Sequence, residues 1–140
     1  MATREELVAV ALQHAQAEAE GDMATTLATL EDDCVYEFQP SRRVLRGKAL
    51  AERYYEYFFN NTNMTIDSYT MRNEWVSDDG LGQEYVIEVT LADGTKRTYN
   101  IVGILTFGTD KLSGERLYAS DEFLDLLVGP IYAEAEPLDD

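Results

Sequence analysis

The spacing of apolar residues changes along the chain. From residue 4 to residue 20 they recur at helical intervals, which stacks Leu7, Val10, Ala11 and His14 on one face. Gly21 offers a left-handed stop and Asp22 a cap for a second helix. That helix is predicted over residues 23 to 31, burying Met23, Leu27 and Leu30 and ending in the acidic turn Glu31-Asp32-Asp33. Cys34 to Gln39 then alternates as a short strand stopped by Pro40, with Tyr36 and Phe38 on one side. Ser41 to Arg46 is expected to be a basic loop. Gly47 opens a third helix, KALAERYYEYFFN, on which Leu50, Tyr54, Tyr57 and Phe58 make an aromatic stripe. From residue 64 onward, four strand-like runs are separated by Asp78-Asp79-Gly80, Asp93-Gly94 and Gly108-Thr109-Asp110, the signature of antiparallel hairpins in a long curved sheet. A last helix is predicted from Asp121 to Val128, and residues 132 to 140 are expected to fray.

Helices first and a meander last predict a single α+β domain over residues 1 to 140. With 45% hydrophobic residues the chain can build a sizeable core. Eleven basic residues against 27 acidic ones leave no patch to neutralise phosphates, so neither nucleic acid nor an anionic membrane is an expected partner. The N-terminus lacks a basic region followed by an apolar block, which points to a cytoplasmic address. A lone cysteine, Cys34, and a lone histidine supply no transition-metal set, and no cofactor is expected. Arg42, Arg43 and Arg46 could grip an anion or simply face water, and Trp75 and Tyr85 suit packing or an interface.

The segment EGDMATTLATLEDDCVYEFQP, followed by VLRGKALAERYYEYF, resembles the nuclear transport factor 2-like superfamily, as does the later GERLYASDEFLDLLVG. That superfamily includes ketosteroid isomerases, limonene epoxide hydrolases and SnoaL-type polyketide cyclases. The resemblance implies a cone-shaped, strongly curved antiparallel sheet with three N-terminal helices on its concave face, and a homodimer. It sets His14 where ketosteroid isomerases carry an oxyanion-donating tyrosine, but it leaves Phe38 and Gly103 where their two aspartates stand. Against the epoxide hydrolases, Tyr36 matches a tyrosine and Glu88 the first aspartate, whereas Val86 and Leu117 replace an arginine and the second aspartate.

Combining strand alternation with the family register directs His14, Tyr36, Phe38, Val86, Glu88, Thr90, Ile101, Gly103, Leu117 and Ala119 inward, with Tyr54 and Phe58 contributed by the third helix. This is the lining of a hydrophobic small-molecule pocket with few polar groups. Histidine is the side chain whose ordinary titration range straddles neutrality, and His14 lies on a buried face, where it needs a partner or a pocket. Glu88 either looks into the cone, where desolvation would favour acid or base work, or faces solvent, because one residue of register exchanges the faces. The expected chemistry is proton transfer next to a carbonyl, as in cyclisation, isomerisation or dehydration, with His14, Glu88 and Tyr36 as catalytic residues. The alternatives are a binding or scaffold module of the same fold, and a hydrolase with water held by Tyr36 and Glu88.

Overall fold

The computed structural model describes residues 1–63 and 65–139 in full, together with the backbone of Met64. Helix α1 spans Arg4–Glu20. Thr3 and Glu6 form a reciprocal capping box at its start, and Gly21, at φ 72°, closes it in the left-handed region that glycine adopts without penalty. Leu7, Ala11, His14 and Ala17 are its buried face. Helix α2, Met23–Ala28, is capped by the Asp22 carboxylate, which accepts from the Thr25 N–H.

Strand β1 runs over Leu30–Gln39, so the expected acidic turn is in fact strand. Leu30 is fully buried and pairs with Leu112, which draws the chain into the sheet before the alternation becomes visible. A turn at the cis Gln39–Pro40 bond leads into β2, Arg43–Arg46, where a basic loop was expected. Val44 and Leu45 are buried there, and Tyr36 pairs with Leu45. Helix α3, Lys48–Tyr57, continues as a π-helical turn, Phe58–Thr62. The long meander follows as β3 Ile66–Val76, β4 Gly80–Thr90, β5 Lys96–Phe107 and β6 Leu112–Tyr118, with turns at the three places foreseen. Helix α4 is Asp121–Val128, and a 3-10 turn, Gly129–Glu134, leads to β7, Glu136–Pro137.

The seven strands form one sheet in the order β3-β4-β5-β6-β1-β2-β7. Every neighbouring pair is antiparallel except β1 with β6, whose parallel register sets Tyr36 beside Glu115 and Phe38 beside Leu117. The segment expected to fray instead returns along β2, with Val44 opposite Glu136, and buries Tyr132 and Ala135. The core lies between the helices and the concave face of the sheet. It is rich in aromatic side chains, with Tyr36, Phe38, Tyr54, Tyr55, Phe58 and Phe123 each at most 2% exposed. No helix among the described residues is long and apolar enough to cross a membrane.

Candidate active site

His14 projects from α1 into this core and is fully buried. The Thr29 hydroxyl donates to the Thr26 carbonyl at 2.7 Å, so it turns a lone pair toward Nδ1 of His14, also at 2.7 Å, and that nitrogen carries a hydrogen. Nε2 then faces two groups, the Tyr55 hydroxyl at 3.0 Å and Oε2 of Glu18 at 3.3 Å. Glu18 stands one turn further along α1, where an i, i+4 pair meets. The Tyr55 hydroxyl also lies 2.6 Å from that of Tyr36 and 3.4 Å from Oε2 of Glu18. A chain of hydrogen bonds therefore leads from β1 through α3 to α1. Burial pushes the proton affinity of the Tyr36 and Tyr55 phenols well up, so both remain neutral donors.

Glu18 connects this sealed network to open space. A cavity of about 270 Å³ lies between the C-terminal half of α1 and the concave side of β3 to β6. Glu18, Tyr69, Met71, Tyr85, Gly103 and Glu115 are among the residues that line it. A Cβ at Gly103 would rest in ordinary contact with the Tyr85 hydroxyl at 3.4 Å, Leu117 at 3.5 Å and the Glu115 carboxyl at 4.0 Å, so the missing side chain enlarges the cavity between these groups. The Glu115 carboxyl is held well above the usual carboxylate range, first by burial and then by the charge of Glu18. Burial likewise raises the Tyr85 phenol, with Glu115 and Glu18 adding to the effect.

The residues singled out from sequence divide into three groups. His14, Tyr36, Phe38, Tyr54, Phe58, Ile101, Leu117 and Ala119 all face the interior but belong to the packed core, and none of them lines the cavity. Gly103 does line it. Val86, Glu88 and Thr90 require correction, because they lie on the convex side. Glu88 is exposed and accepts from Ser68 at 3.0 Å, while the Thr90 hydroxyl donates to Asp67 at 2.6 Å. The cause is the parity of β4, whose Tyr85, Ile87 and Val89 bury the greasier face. Glu18, Glu115, Tyr85 and Tyr55 were missed. Glu18 was signalled by its place four residues after His14, and Glu115 by its place two before the inward Leu117.

No family model matches this chain, and no curated protein matches it. Solved structures do. An NTF2-like protein from Anabaena variabilis is 17% identical, with 86% of this chain and 94% of that one covered and a TM-score of 0.69. A Bacillus subtilis protein provisionally named an isomerase is 16% identical, with 92% and 96% covered and the same TM-score of 0.69. A de novo designed protein with a curved β-sheet is 18% identical, with 95% and 99% covered and a TM-score of 0.66. The chain has the nuclear transport factor 2-like fold. Identities this low speak for the fold alone, and a designed protein among the likenesses leaves chemistry to be argued from the site.

Proposed function

We propose that the cavity is the active site of a small-molecule enzyme that moves a proton at carbon next to a carbonyl. The observation that carries this reading is the contact of 3.3 Å between His14 Nε2 and Oε2 of Glu18, whose carboxyl lines the cavity. A carboxylate at the wall can take a proton from the substrate carbon. The ring behind it can accept that proton at Nε2, since Nδ1 already carries its own hydrogen, and return it through Glu18 to a second carbon. The Tyr85 hydroxyl, for which no hydrogen bond is found among the described residues, is placed to donate to the carbonyl oxygen as negative charge develops there. Of the catalytic residues expected from sequence, His14 keeps a part behind Glu18, while Glu88 and Tyr36 give way to Glu18 and Tyr85. Mostly apolar and aromatic surroundings suit a hydrophobic substrate.

The test needs no knowledge of the product. A panel of hydrophobic ketones is incubated with the protein in deuterated buffer, and exchange of the hydrogens next to the carbonyl is followed by NMR. Enzyme-dependent exchange is expected for at least one member, with a loss of 100-fold or more in Glu18→Gln, since acid–base groups contribute about 10²–10⁴-fold. Exchange no faster than in buffer across the panel would reject proton transfer. Binding without exchange would favour the non-catalytic module. The convex side of the sheet exposes Trp75 and Tyr118, 49% and 42% accessible, beside Val102 and Ile104, and this patch supports self-association as a homodimer.

A further inference from the structure

Two carboxyls face one small cavity, and no Lys or Arg lines it among the described residues. Glu18 has partners in His14 and Tyr55, but no hydrogen bond or ion pair reaches the Glu115 carboxyl among the described residues. Glu115 bears on Tyr85, whose ring lies 6.3 Å from that of Tyr69 and is inclined to it by 67°, and Tyr69 and the soft side chain of Met71 line the same cavity. Tyr69 and Met71 are about half exposed, at 48% and 55%, which leaves aromatic and thioether surface open to an occupant.

From this arrangement we infer that the ligand of the cavity carries a hydrophobic cationic nitrogen, a protonated or quaternary amine, seated between Glu115 and the Tyr69 and Tyr85 rings. A desolvated carboxylate and the electron-rich faces of two phenols attract the same kind of charge, and a cation over a ring gains most where water is excluded. The raised proton affinity of Glu115 fits this, because without a cation a proton offsets the mutual repulsion of the two carboxyls. The titratable groups that bear on Glu115 are Glu18 from α1, Tyr36 from β1, Tyr54 and Tyr55 from α3 and Tyr85 from β4. None of the five is cationic, so binding of a cation should displace the Glu115 proton. The inference rests on the cavity being the ligand site proposed above. It narrows that reading to carbonyl compounds that also bear an amine.

Isothermal titration with benzyltrimethylammonium, and with its uncharged carbon analogue neopentylbenzene, tests this on the intact chain at neutral pH and low salt. The cation is expected to bind at least tenfold more tightly and to release close to one proton, measured by repeating the titration in buffers of different ionisation heat. Glu115→Gln should remove both the preference and the proton release. Ala19→Trp, a change on the exposed wall of the cavity, should abolish binding, whereas cations held merely by the acidic surface would persist in that variant and overturn the inference. Equal or tighter binding of the neutral analogue would also overturn it, while leaving the cavity as a ligand site. If neither probe binds, the inference is overturned, while the ketone exchange panel decides the cavity reading separately.

Discussion

Glu115 shows how one side chain can make stability depend on pH in the direction opposite to ordinary acid denaturation. Its carboxyl titrates well above the ordinary glutamate range in the folded chain, because burial and Glu18 oppose its ionisation. Between the unfolded and the folded value the native state holds a proton that the unfolded chain has lost. Stability from this group is therefore complete below about pH 4.5 and declines as pH rises through the folded value. Glu115→Gln is expected to raise the melting temperature at pH 7 and 8 and to leave it nearly unchanged at pH 4, as followed by circular dichroism. Equal effects at all three would show that Glu115 ionises freely. Sequence reading found His14 because it is alone of its kind and lies on an apolar stripe. It passed over Glu115 because a glutamate next to Arg116 in GERLY resembles any solvated strand position, although its spacing of two from the inward Leu117 sets it on the same face, beside Tyr36.

Elements were legible wherever a local rule decided them. Ser120 caps α4 by accepting from the Phe123 N–H at 3.2 Å, and Asp121 and Glu122 favour its N-terminus, so that helix stands where the sequence set it. The turns of the meander were equally plain. The face of β4 was not. In YVIEVTL the alternation of Tyr85, Ile87 and Val89 is the more apolar one and does face inward, but the family register favoured the opposite parity, and a slip of one residue exchanges every side chain. Gly114 makes the β1–β6 junction possible in a way no local rule reveals. It adopts φ 140°, and a Cβ there would run into the Val35 carbonyl. Gly114→Ala should destabilise the fold by at least about 1–3 kcal/mol from backbone strain alone, with the contact adding to this. Urea unfolding would measure the loss, and an unchanged midpoint would show that the junction relaxes freely.

At the scale of the whole molecule, a formal charge of −16 and an apolar convex patch act against each other. Trp75 lies over Gly82, with its ring 3.4 Å from where a Cβ would stand, and Ile104 continues the surface. If two copies pair through this face, Tyr118→Arg combined with Trp75→Glu should give a monomer with an intact fold. Light scattering after gel filtration would report it, and raising the salt should tighten the wild-type pair by screening repulsion between acidic surfaces. A wild-type chain that runs as a monomer at high concentration would dismiss the pairing. The α+β arrangement was legible from the order of elements and the cone from the family resemblance, whereas the lining of the cavity was not, because it depends on which few side chains are small or turned aside. The parallel partnership of β1 and β6 also bears on synthesis. Tyr36 emerges from the ribosome long before Glu115 and its neighbours, so the first half of the protein must wait, unsheltered, for a strand made near the end. A nascent chain cut short before Leu112 would leave its most aromatic surface uncovered, which makes it a natural client for chaperones and a poor candidate for independent folding.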